Sequence, residues 1–176
     1  MTTYAAFLRG INVGGNKSVP MAKLRQLAED LGYSNVATYI NSGNLVFSAT
    51  RKPAALEKEL SKSIQTTFGF DVDVCVRSLA HLKKILAANP YPDGDLSKVT
   101  VAFLSATPPA GVEDRLAAQA AEHEPFTVAG TEVYVHYGEG LGKSALAEKF
   151  AKLVGVSATV RNVRTIEKVI ALASRS

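Results

Sequence analysis

Two stretches of the chain carry one pattern. Val76-Arg77-Ser78-Leu79, followed by Leu82, Lys84, Ile85 and Leu86, matches Val160-Arg161-Asn162-Val163, followed by Ile166, Lys168, Val169 and Ile170. In each, an arginine ends a strand, a capping side chain follows, and apolar residues then recur at helical spacing. Ala6-Phe7-Leu8 is echoed in the same way by Ala102-Phe103-Leu104. A repeat of this kind restricts the fold to two like halves built on one succession of elements.

The rest of the chain supplies that succession. Tyr4–Arg9 reads as a strand, and Met21, Leu24, Leu27, Ala28 and Leu31 as a helix stopped at Gly32. Val36–Ile40 and Leu45–Ser48 read as strands joined through Asn41-Ser42-Gly43-Asn44. Pro53 opens a helix whose Leu56, Leu60, Ile64 and Phe68 recur every four residues up to Gly69. Val72, Val74 and Val76 alternate as a half-buried strand, and Ser78 caps a helix ending at Asn89-Pro90. The second half repeats the order. Strand Val99–Leu104 precedes a helix marked by Val112, Leu116 and Ala120, then a hairpin around Ala129-Gly130-Thr131. Leu146, Phe150, Leu153 and Val154 form a helix before Gly155, and Ala158–Arg161 a last strand before the C-terminal helix. The expected fold class is α+β: two ferredoxin-like (β-α-β-β-α-β) halves from an internal duplication, with antiparallel sheets and packed helices. Residues 1–90 form the first half, 91–98 a linker, and 99–176 the second half with its C-terminal helix. In that topology strands one and two run parallel, so the Gly10–Lys17 loop and the Asn41–Asn44 turn share one edge.

That edge holds the first candidate site. Gly10, Gly14 and Gly15 permit positive φ and expose backbone N–H groups, and Ser18 is placed to cap the following helix. Strand, glycine loop and capped helix together favour an anion. The candidate ligand-binding residues there are Arg9, Asn12, Gly14, Gly15, Lys17, Asn41, Ser42 and Asn44. A second cluster comprises Gly142, Lys143, Ser144, Arg161 and Asn162. The arginines and lysines supply charge, the asparagines directional hydrogen bonds, and the glycines backbone donors. Arg161 alone follows a glycine-lysine turn; Arg77 follows Ala49-Thr50-Arg51-Lys52-Pro53. The competing reading is that these polar residues brace turns and caps in an interaction or scaffold protein.

Neither glycine stretch is a phosphate-binding loop of the nucleotide-hydrolase kind. Gly10 to Gly15 is followed by one residue too many before Lys17, and Gly138–Lys143 has one residue too few. His81, His123 and His136 show no metal-ligand spacing, so no metal and no cofactor is expected. Cys75, the one cysteine, lies among valines and reads as a small buried thiol that excludes an intrachain disulfide. No nucleophile elbow occurs, and whether the protein is an enzyme stays open. Net charge is +4, distributed as eleven Lys/Arg against six Asp/Glu in residues 1–88 and nine against ten in 89–176. The basic first half keeps nucleic acid as a third reading, although the aromatic and basic pattern of an RNA-binding sheet is missing. Met1-Thr2-Thr3-Tyr4 leads directly into a strand and no apolar run reaches a membrane span, so a soluble, cytoplasmic protein with no membrane partner is expected. The expected partner is a small anionic or phosphate-bearing ligand.

Leu8-Arg9-Gly10-Ile11-Asn12-Val13-Gly14-Gly15, Thr38-Tyr39-Ile40-Asn41-Ser42-Gly43-Asn44, Gly142-Lys143-Ser144-Ala145-Leu146 and Thr159-Val160-Arg161-Asn162 resemble, in this order, the bacterial family called domain of unknown function 1697. The likeness spans nearly the whole chain. It implies a cytoplasmic α+β protein with duplicated ferredoxin-like halves, and it assigns no biochemical role. The tryptophan usual in that family after Arg-Asn is Val163 here, and the polar residue usual after Lys-Ser is Ala145.

Overall fold

A computed structural model describes residues 1–175 and gives a mixed α+β protein with two four-stranded antiparallel sheets and packed helices. The chain divides into two compact units. Unit 1 comprises Met1–Ile85 with the C-terminal residues from Glu167 on, and unit 2 comprises Leu86–Ile166.

Unit 1 runs β1 (Thr2–Leu8), α1 (Met21–Asp30), β2 (Ser34–Tyr39), β3 (Asn44–Ala49), α2 (Pro53–Phe68) and β4 (Val74–Ser78), then enters α3 (Leu79–Ala87). Its sheet order is β2-β3-β1-β4, and every pairing is antiparallel. The central strands β1 and β3 are apolar at successive residues because both of their faces are buried. Leu56, Leu60 and Ile64 project from α2 onto Ala6, Leu8, Leu45 and Phe47 of the sheet. Each such leucine contributes roughly 1.5–3 kcal/mol of burial, so the four-residue spacing decides which face of α2 turns inward. Gly69 ends α2 in the left-handed region (φ 82°), as its position after Phe68 predicts.

Unit 2 runs β5 (Val99–Leu104), α4 (Val112–Ala117), β6 (Phe126–Ala129), β7 (Glu132–His136), a short 3-10 turn at Leu141–Lys143, α5 (Ala145–Val154) and β8 (Ala158–Asn162), then enters α6 (Val163–Ala173). Its sheet order, β6-β7-β5-β8, reproduces that of unit 1. Leu146, Phe150 and Val154 from α5 pack with Val112 and Leu116 of α4 over Ala102, Leu104, Val133 and Val135.

Two local expectations change. Ser18 does not cap α1: the helix starts at Met21 behind Pro20, which stands in extended conformation with no side-chain cap. The chain reverses at Lys17 (φ 47°) and the Val19 N–H is taken by Asn12, so Ser18 is held outside the helix. The helix through Val112 and Leu116 stops at Ala117, which leaves Ala120 beyond its end.

Candidate functional site

The loop after β1 and the β2–β3 turn are tied to one another. Asn12, at φ 55°, donates from Nδ2 to Val19 O (2.9 Å), Asn41 O (2.8 Å) and Asn41 Oδ1 (3.1 Å). Its Oδ1 accepts the Val19 N–H at 2.8 Å. Asn44, fully buried, donates from Nδ2 to Tyr39 O and to Ser42 Oγ, both at 3.0 Å. Leu8 N–H donates to Gly43 O at 2.9 Å. Gly43 stands at φ 82°, and a Cβ there would lie 2.8 Å from both Ile11 Cδ1 and Leu8 Cβ. The two segments are therefore neighbours, as the crossover topology requires.

The cations of this cluster already have internal acceptors. Arg9 Nη1 meets Asp73 Oδ2 at 3.3 Å, and Lys17 Nζ donates to Asp71 O at 2.7 Å. Gly14 and Gly15 (φ 60° and 76°) form a tight reversal closed by the Val13–Asn16 bridge. Among its large apolar side chains the loop pair leaves two to solvent: Val13 is 67% exposed and Ile40 54%. Ile40 is β-branched and stands at φ 49°, a conformation such residues rarely take.

In unit 2, Gly142, Lys143 and Ser144 lie together ahead of α5. Ser144 Oγ accepts the Ala147 N–H at 3.0 Å and so caps the helix. Leu141, Gly142, Lys143, Ser144, Ala145, Ala147 and Glu148 line a depression of about 630 Å³. Lys143 is exposed and has no ion pair among the described residues. Arg161 and Asn162 stand on β8, outside that lining. Asn162 Oδ1 caps the following helix by accepting Thr165 N–H at 2.8 Å, as Ser78 Oγ accepts His81 N–H at 3.2 Å in unit 1.

The two repeated arginines are placed alike. Arg77 Nη1 donates to Val76 O at 3.1 Å, and Arg161 Nη1 to Val160 O at 2.9 Å. Each guanidinium turns back onto the carbonyl of the preceding residue, on the strand that forms the sheet edge. Their surroundings differ. Glu57, on α2, accepts the Val76 N–H with Oε1 at 2.8 Å and lies 3.6 Å from Arg77 Nη1. One turn on, Ser61 Oγ donates to Val72 O at 2.8 Å.

Sequence reasoning did not single out Glu57, and nothing local marks it: it is one of several charged residues on a helix, and only the strand crossing beside it gives it a task. It also missed the Glu59 cluster. Glu59 accepts from Tyr33 Oη (2.5 Å) and Arg51 Nη1 (2.7 Å) at the side of a depression of about 700 Å³ between α1 and α2. Burial, then the Glu59 carboxylate, hold the Tyr33 phenol well above its usual titration range. Burial, then Glu124, do the same to Tyr137 in unit 2. Cys75 is buried in mid-strand. Among the described residues no group of three or more His, Cys, Asp or Glu is arranged to hold a metal ion, and no helix is long and apolar enough to cross a membrane.

A solved structure described as that of the conserved bacterial protein SP0830 from Streptococcus pneumoniae superposes on this chain with a TM-score of 0.73. It is 26% identical over 98% of both chains. No curated relative matches the chain. The model of the family described as "Protein of unknown function (DUF1697)" matches residues 1–134, about three quarters of the length, and the chain belongs to that family.

Proposed function

We propose that this is an anion-binding protein whose ligand is held in unit 2, where the Gly142-Lys143-Ser144 turn precedes α5, rather than at the glycine loop of unit 1. The observation that carries this reading is the different state of the cations. Arg9, Arg51 and Arg77 of unit 1 face Asp73, Glu59 and Glu57, and Lys17 is taken by a carbonyl. Lys143 has no such carboxylate and borders a depression of ligand size beside the positive end of a ten-residue helix. Glu148 lines the same depression, which directs an anion toward Lys143 and away from the first turn's outer face. The common strand order, the self-directed arginines and the matching caps support a second proposal, that the units are duplicated ferredoxin-like halves. A titration with inorganic phosphate and with succinate, followed by thermal shift, tests the anion reading. A ligand at 100 times its dissociation constant adds roughly 2.7 kcal/mol, and Lys143→Ala should remove that gain. No shift with either anion, or an unchanged shift in Lys143→Ala, overturns the reading.

A second reading rests on Ile40. Backbone strain of about 1–3 kcal/mol is tolerated at positions kept for function, and here it presents an apolar side chain to solvent beside Val13. The loop pair is then a preorganised contact surface for a protein partner. Ile40→Asn should raise stability by about 1 kcal/mol, since Asn accepts this conformation more readily. A loss of stability on that substitution counts against stored strain.

A further inference from the structure

We infer that the groove between α1 and α2 is a binding site for a small zwitterion, a chain with an ammonium group at one end and a carboxylate at the other. It lies wholly within unit 1 and shares no residue with the turn ahead of α5. The helix stripes explain why the groove exists. Leu56, Leu60 and Ile64 turn α2 onto the sheet, and Leu24, Leu27 and Ala28 do the same for α1. The next stripe of α2 lines the groove and carries Glu59, Ser63 and Thr67 in place of large apolar residues. Short hydroxyl side chains do not fill the space between two helices. In unit 2 the residue three positions after Phe150 is Leu153, packed against the core, whereas three positions after Leu60 stands Ser63. What remains in unit 1 is a depression of about 700 Å³ with Leu27 and Leu31 as its apolar lining, within the size range of small-molecule sites.

Chain direction gives this groove two unlike ends. β1 and β2 both run antiparallel to β3, and β4 runs antiparallel to β1. α1, which returns from β1 to β2, and α2, which returns from β3 to β4, are therefore antiparallel. Asp30 at the end of α1 stands level with Glu59, and Lys23 in its first turn stands level with Thr66 and Thr67. The hydrogen bond from Tyr33, just past α1, to Glu59 fixes that pairing of ends. Both carboxylates keep an oxygen for a ligand. Glu59 receives Tyr33 and Arg51 on Oε2, and Asp30 receives Gln26 on Oδ1, so Glu59 Oε1 and Asp30 Oδ2 carry no bond among the described residues. The last turn of α1 has no basic residue to offset its negative end. Lys23 and Lys62 are exposed and have no ion pair among the described residues.

Opposite charges at the two ends select the ligand. A simple anion meets repulsion from Asp30 and Glu59, and a simple amine meets repulsion from the lysines. An ammonium group has three donors and suits the two open carboxylate oxygens, while a carboxylate suits the lysine pair. Asp30 follows Lys23 by seven residues on one helix face, a rise of about 10 Å. Leu27 lies between them and offers an apolar surface along that span. A methylene chain of matching length, charged at both ends, is the complement.

The test titrates ω-aminooctanoate into the full chain and follows the methyl resonances of Leu27 and Leu31. Octanoate, octylamine and the shorter ω-aminobutanoate are the comparisons. ω-Aminooctanoate should shift both leucines and bind at least fivefold more tightly than any of the three. Lys23→Ala should lower its affinity to that of octylamine, and Asp30→Asn to that of octanoate. Ser63→Leu should fill the groove as Leu153 does its counterpart and abolish binding; should that variant not fold, the two exposed substitutions decide alone. Lys143→Ala should leave ω-aminooctanoate affinity unchanged, so this site and the anion site of unit 2 stand or fall separately. Unmoved leucines, equal affinity for octanoate and ω-aminooctanoate, or full affinity in both Lys23→Ala and Asp30→Asn overturns the zwitterion site.

Discussion

In unit 1 the N–H and C=O of Val76 meet Glu57 and Arg77; in unit 2 the C=O of Val160 meets Arg161, and α5 carries Ala147 where α2 carries Glu57. The strands, their order and the arginine's return onto its own edge are common to both. The difference lies in one helix stripe. The comparison teaches that one strand order and one arginine-bearing edge can carry different helix surfaces, Glu57 and Ser61 on α2 where α5 has Ala147 and Ala151.

The hairpin turns offer the sharpest way to break this pairing of the units. Gly43 and Gly130 both take positive φ, but only Gly43 is packed against other atoms. Gly43→Ala should cost about 2–4 kcal/mol, combining overpacking with left-handed strain. Gly130→Ala, where a Cβ meets nothing within 4 Å, should cost only about 1–2 kcal/mol. Chemical denaturation of the two variants measures both, and equal losses would mean that the β2–β3 turn is not the locked element. Next in size is Glu57→Ala. It strips the acceptor from Val76 N–H and should cost about 1–3 kcal/mol. Ala147→Glu in unit 2 should be neutral or mildly stabilising by the same contact.

Titration compares the units differently. The phenols of Tyr33 and Tyr137 are both held above their usual value, chiefly by burial. The unfolded chain ionises its tyrosines near pH 10. A raised folded value therefore gives stability that is whole below about pH 10 and falls away as pH rises beyond it. Melting temperature should be flat through neutral pH and drop on the alkaline limb, and Tyr137→Phe should flatten that limb. Tyr33→Phe should flatten it as well, while leaving Glu59 with Arg51 alone. An alkaline limb identical in wild type and both variants would assign it to other groups.

Much of the framework is legible in the sequence because its signals are local. Gly69 and Gly155 stop helices, Ser78 and Asn162 cap them, and the four-residue spacing of Leu56, Leu60 and Ile64 fixes a buried face. The meeting of the Gly10–Lys17 loop with Asn41 is legible at one remove, through crossover topology. What is not legible is which polar groups are used up within the fold. Asn12 and Asn44 look like ligand-binding amides, yet their hydrogen bonds close loops, since a buried or turn-bound amide must find backbone partners. Glu57 looks like an ordinary solvated helix residue, and only the register of β4 gives it the Val76 N–H. Ser18 fails as a cap for a related reason: the chain reverses at Lys17 and Asn12, six residues before Ser18, ties down the Val19 N–H, so Ser18 is held outside the helix.

The smallest expected effect bears on the arginines. Lysine keeps the charge but replaces a planar fork with a point donor. Arg77→Lys retains its attraction to Glu57 and loses the well-aimed bond to Val76 O, so it should cost no more than about 1 kcal/mol. Arg161→Lys loses the equivalent bond to Val160 O, and its effect on stability should be of the same size. Ligand binding is where the two should part. In unit 1 the carboxylate is tethered to α2, so Arg77→Lys should leave succinate affinity unchanged. If the anion of unit 2 also meets β8, Arg161→Lys should weaken its binding by about 1–3 kcal/mol, the range for charged hydrogen bonds. Equal losses of affinity from the two substitutions would put the ligand somewhere that neither edge defines. A loss confined to Arg77→Lys would exchange the roles assigned to the two units.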